Sequence, residues 1–138
     1  MSELYLRSVN EAISEGELAL WRDSYNENLA CKEAIEESIC QNFDGSFLDH
    51  DCIQPVLHRF GAARMSYVLA NTVRQLSWDG RFSRENRAWA ECVDLVQDGS
   101  HNAAFVVSSH PAVLDGFIHL FREVVKQEQV EKNNMTMK

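Results

Sequence analysis

The sequence predicts an all-α fold: a compact bundle of about five to six helices with two Asp-Gly turns. Three observations carry this. Only two prolines and six glycines interrupt 138 residues. Long stretches repeat apolar side chains at helical spacing. The composition, 45% hydrophobic and 25% charged, is that of an ordinary globular domain. A chain of this length buries roughly two-thirds of its unfolded surface, so it needs no metal or disulfide to fold. The expected organisation is one helical domain over 1–131, followed by a frayed polar tail over 132–138.

Helix one is expected from Glu3 to Ser14, capped by Ser2, with Leu4, Tyr5, Val9, Ala12 and Ile13 as its stripe and Gly16 as its stop. Helix two is expected from Glu17 to Asn42, with Asn26 to Asn28 as the place where it would break. Its stripe is Leu18, Trp21, Tyr25, Leu29, Ile35 and Ile39, opposite Glu33, Glu36 and Glu37. A turn, Phe43-Asp44-Gly45-Ser46-Phe47, leads to helix three, expected from His50 to Phe60. Pro55 fits best in a first turn, which moves that start toward Ile53.

Helix four, Ala62 to Trp78, carries the clearest amphipathic pattern: Met65, Val68, Leu69, Thr72, Val73 and Leu76. The second turn, Trp78-Asp79-Gly80-Arg81-Phe82, leads to helix five, Arg84 to Leu95, which Ser83 can cap. Residues 103–107 read as an extended segment or a helical turn, since one strand cannot pair with itself. Pro111 opens the last helix, whose apolar face is Val113, Leu114, Phe117, Ile118, Phe121, Val124 and Val125. That helix is expected to fade after Lys126. The two turns lie 35 residues apart, but their flanking helices do not align as a repeat would.

The net charge of −8 is unevenly spread. Residues 1–51 carry −9, residues 52–90 carry +4 and residues 91–138 carry −3. The acidic first third repels nucleic acid, whose binding rests on neutralised phosphates. The six arginines of the centre favour it, unless they pair within the fold. No run approaches the ~18 consecutive apolar residues of a membrane helix. The start of the chain lacks the basic and apolar regions of a signal peptide. A cytoplasmic location follows as an expectation, with Cys31, Cys40, Cys52 and Cys92 reduced and packed as small apolar side chains.

No metal or other cofactor is expected. In the Asp44 to Asp51 stretch, Leu48 and Pro55 stand where a calcium loop needs oxygen ligands. Cys40, His50, Cys52 and His58 lack the spacing of structural zinc ligands. No Cys–His nucleophile stands out. Ser109 and His110 open a helix and are candidates for an anion site, and His110 with Asp115 would be the core of an enzyme site if one exists. Trp78, Arg81, Phe82, Arg84, Arg87 and Trp89 mix cations with aromatics, which suits a protein partner. Glu33, Glu36 and Glu37 offer that partner an acidic face instead. Arg74, Arg81, Arg84 and Arg87 are the candidates for nucleic acid. The opposite charges of the first and central segments also allow a homodimer.

Several strings resemble an uncharacterised bacterial family, domain of unknown function 3849. They are Gly16-Glu17-Leu18 with Trp21-Arg22, Cys31-Lys32-Glu33-Ala34-Ile35-Glu36, Tyr67-Val68-Leu69-Ala70-Asn71-Thr72, Trp78-Asp79-Gly80-Arg81-Phe82-Ser83 and Ser109 through Phe117. The resemblance covers about residues 4 to 125 and brings no catalytic residues with it. It implies an association with mobile elements of Firmicutes and neighbours of antirestriction type. From that setting comes the expectation of a non-enzymatic interaction module of anti-defence kind (anti-CRISPR or antirestriction), acting on a nuclease.

Overall fold

The computed structural model describes residues 3–136, with side-chain surroundings through residue 128. Among these residues the chain is all-α. Seven helices follow one another: α1 (Val9–Glu15), α2 (Leu18–Asn42), α3 (Gln54–Phe60), α4 (Ala62–Gln75), α5 (Arg84–Glu91), α6 (Ser100–Ala103) and α7 (Pro111–Thr136). A 3-10 turn, His50–Cys52, precedes α3. Short helices are marginal alone, so α1, α3, α5 and α6 depend on the frame that α2, α4 and α7 provide.

The core fills the space between those three helices and α3. Cys31 and Ile35 from α2, Met65, Val68 and Leu69 from α4, and Leu114, Phe117 and Ile118 from α7 are fully buried. Val56, Leu57 and Phe60 close it from α3. The apolar stripes read for helix four and the last helix are the faces that face this core. α5 packs on both α4 and α7, which positions the second Asp-Gly turn at their junction.

Four local expectations are corrected. The first helix begins at Val9, not Glu3, because Ser8 is the residue with extended backbone whose hydroxyl caps the Glu11 N–H at 3.2 Å. The expected cap, Ser2, lies outside the described residues. Helix two runs unbroken through Asn26 to Asn28, since Asn28 points inward and is buried. Helices four and five stop at Gln75 and Glu91, a few residues before Trp78 and Leu95. The last helix continues past Lys126, to Thr136.

The buried stripe of α2 matches the expected apolar one only at Ile35 and Ile39. It is Ser24, Asn28, Cys31, Ile35, Ser38 and Ile39, while Leu18 is 45% exposed. Arg64 is the reason. It is buried at the start of α4, where it donates to the Ser24 carbonyl (3.0 Å), the Ser24 hydroxyl (3.4 Å) and Asn28 Oδ1. A buried guanidinium needs acceptors, and small polar residues one turn apart supply them.

Candidate functional site

The two Asp-Gly turns share a device but present opposite aromatics. Asp44 Oδ1 accepts the N–H groups of Ser46 (2.8 Å) and Phe47 (2.7 Å), and Asp79 Oδ1 accepts that of Arg81 at 3.0 Å. Each is an Asx turn, in which the side chain replaces a backbone acceptor. Gly45 has φ +100, a conformation that L side chains avoid. In the first turn Phe47 stands out, 78% exposed; in the second, Phe82 is buried and Trp78 stands out, 77% exposed.

The second turn is far more heavily braced. The Arg87 guanidinium donates from Nε to the Phe82 carbonyl (3.1 Å), from Nη1 to that of Ser77 (3.1 Å) and from Nη2 to that of Asp79. Asp79 also receives Arg81 Nε on Oδ1 at 3.0 Å and Arg81 Nη2 on Oδ2 at 2.7 Å. These Arg81 hydrogen bonds hold the Asp79 carboxyl down at about 2. Two arginines of the central cluster are therefore committed to the turn that carries them.

The start of α7 completes the brace. The Ser83 N–H and the Asn86 side-chain amide both donate to Asp115 Oδ1 at 2.8 Å. Asn86 Oδ1 accepts from Arg122 at 2.8 Å, and Arg122 also lies over the Trp89 ring. The Ala112 N–H donates to His110 Nδ1 at 3.2 Å, and Arg81 Nη1 stands 3.3 Å from His110 Nε2. A neutral imidazole has one acceptor nitrogen, so these two donors compete for it. His110 thus takes up one N–H, that of Ala112, of the helix N-terminus where Ser109 and His110 are expected to offer an anion site.

Ser83, His119 and Asp115 come together as well. Their geometry is not that of an activated nucleophile, in which the carboxylate holds the ring nitrogen opposite the hydroxyl. Here His119 Nε2 faces both the Ser83 hydroxyl (3.2 Å) and Asp115 Oδ2 (3.7 Å). The Ser83 hydroxyl is also the cap of α5, accepting the Asn86 N–H at 3.2 Å. The arrangement fastens α5 to α7.

The remaining candidates separate. Arg84 is exposed, and among the described residues no ion-pair or hydrogen-bond partner is found for it. Arg74 is half-buried, donates to the Val93 carbonyl at 3.4 Å and stands 4.0 Å from Glu91. Glu33 and Glu37 are exposed. Glu36 is half-buried, pairs with Lys32 at 3.1 Å and accepts the Ser108 N–H, so it belongs to the fold and not to an open acidic face. Cys31 and Cys52 are buried, which pushes their thiols up to about 12 and about 11. Cys40 and Cys92 are exposed, which corrects the expectation that all four are packed. Among the described residues no three His, Cys, Asp or Glu side chains converge to hold a metal ion, and no described helix is long and apolar enough to cross a membrane.

One polar centre gave no clear sequence signal. Trp21, Tyr25, His101 and Phe105 pack edge to face beside Ser24, Asn28 and Asn102. The cavity among them holds about 20 Å³, room for roughly one water molecule. Spacing could have found part of it, because Ser24, Asn28, Cys31 and Ile35 follow one helical face.

Fold and site together define a small all-α domain whose second Asp-Gly turn, braced by Arg81 and Arg87, exposes Trp78. The chain belongs to the family described as "Protein of unknown function (DUF3849)", which matches residues 4–126. No curated protein and no solved structure matches it significantly.

Proposed function

We propose that this domain is a non-enzymatic protein-interaction module and that the Trp78 turn is its contact point. The observation that carries this is the combination of exposure and bracing. Trp78 is 77% exposed, yet the carbonyls on either side of it are fixed by one guanidinium. Indole is the side chain most enriched at the energetic centre of interfaces. Fixing the backbone that carries it before contact removes part of the ordering cost of binding.

The finer reading is a partner of the host-defence nuclease class. Its support is the mobile-element setting implied by the family resemblance, together with the exposed carboxylates of Glu33 and Glu37. The nucleic-acid reading is left with Arg84 and, in part, Arg74, because Arg81 and Arg87 spend their donors inside the turn. The test is affinity capture from a nuclease-treated bacterial lysate with wild-type and Trp78→Ala baits, read by quantitative mass spectrometry. Proteins retained by the wild type and lost with the variant support the proposal. The same proteins in equal amounts on both baits would overturn it, as would no retained protein.

A further inference from the structure

Between α4 and α5 the surface dips into a groove of about 320 Å³ whose lining reaches Ser77, the residue before Trp78. Val73 and Ala88 supply its apolar lining, and Arg74, Arg84 and Arg87 its cationic lining. Three guanidinium groups thus face a space large enough for a few side chains, and Glu91 is the one carboxylate among the groove's lining residues. The arginines differ in what they have left to offer. Arg87 is bound to three carbonyls and contributes mainly charge. Arg74 donates to one carbonyl and stands at 4.0 Å from Glu91. Among the described residues Arg84 has no partner, which leaves its fork available. A planar fork with available donors is the side chain best matched to a carboxylate, which it can hold by two parallel hydrogen bonds.

We infer that this groove takes an acidic, partly apolar polypeptide segment of the partner, with a carboxylate on Arg84 and an apolar side chain against Trp78 and Ala88. The inference rests on the interaction reading above and names the chemistry of the partner's contact. Charge complementarity selects the occupant: three arginines against the single carboxylate of Glu91 ask for carboxylates, and Val73 and Ala88 in a lining that ends at Ser77, the neighbour of Trp78 in the chain, ask for an aliphatic side chain. A nucleic-acid strand fits less well, because tracking a backbone needs a line of available cations and bases need successive aromatic faces. Here Arg81 and Arg87 are committed, and Trp78 is the one widely exposed aromatic next to the groove.

The experiment titrates the full chain with a fluorescently labelled peptide of glutamate and leucine, its glutamine–leucine counterpart, and single-stranded oligothymidylate. Anisotropy and tryptophan emission report binding. The glutamate peptide is expected to bind, to alter tryptophan emission in the wild type but not in Trp78→Phe, and to weaken with salt. Arg84→Ala should weaken it about tenfold and Arg84→Glu further. Arg84→Lys should recover only part of the loss. No binding, equal binding of the glutamine peptide, tighter binding of oligothymidylate, or insensitivity to Arg84 would overturn the inference. Sedimentation run alongside is expected to show no self-association dependent on Arg84. Such self-association would assign the groove to a second copy and overturn the inference too. If these tests fail while Trp78 still governs lysate capture, the groove assignment falls and the interaction reading stands.

Discussion

Asp79 holds Arg81 twice over: its Oδ1 accepts both the backbone N–H and Nε of Arg81 at 3.0 Å, and its Oδ2 accepts Nη2 at 2.7 Å. A residue that looks from its position like an exposed cation is in fact part of a turn. With Arg87 bound to the carbonyls of Ser77, Asp79 and Phe82, it converts six residues of loop into a fixed platform for Trp78.

Removing the brace should destabilise the domain. Arg87→Ala leaves three carbonyls without their donors and is expected to cost about 2 kcal/mol or more. Arg87→Lys should keep most of that loss, because an ammonium cannot span three acceptors set around a planar fork. Urea denaturation checks both; a lysine variant as stable as the wild type would show that charge alone matters.

The Asp79 carboxyl predicts a specific acid dependence. Its folded value of about 2 lies below the ~3.9 of an unfolded aspartate. The stability it contributes is therefore full above about pH 4 and is lost as the pH falls through about 2. The difference in stability between wild type and Asp79→Asn should be constant near neutrality and shrink between those values. A difference that stays the same down to pH 2 would contradict the assigned pairing.

The cysteines should divide into two classes. Cys40 and Cys92 are expected to react with a thiol reagent in the native protein, whereas Cys31 and Cys52, buried and with raised values, should react only after unfolding. Counting labelled thiols before and after adding denaturant is the check.

The two exposed or buried phenylalanines at comparable turns give a packing test. Phe117→Ala in the core should cost about 3–5 kcal/mol, and Phe82→Ala should also be costly, since Phe82 is 3% exposed. Phe47→Ala, at 78% exposed, should change stability by no more than about 0.5 kcal/mol. Thermal or urea unfolding of the three variants separates them.

The long elements were legible in the sequence because apolar spacing and packing agree there. The α4 pattern around Val68, Leu69 and Val73, and the α7 pattern around Leu114, Phe117 and Ile118, are the faces that close the core. Apolar spacing and structure part where a polar contact decides the packing. Ser24 and Asn28 interrupt an apolar stripe, and the approach of Arg64, 40 and 36 positions away in sequence, gives them an inward partner. Helix one began late because Ser8, not Ser2, has the capping geometry. At the candidate site, the residue types of the Trp78 to Trp89 segment were visible. Which arginines were committed was not, since that depends on carbonyl positions set by the turn itself.

In the proposed interaction role, Trp78 recognises a partner and does not hold the fold together. The most direct measurement pairs urea denaturation of Trp78→Ala with its capture of proteins from nuclease-treated lysate. Stability within about 0.5 kcal/mol of the wild type, as expected for an exposed side chain, and loss of the proteins that the wild type retains are the expected outcome. Unchanged capture by a stably folded Trp78→Ala would contradict it.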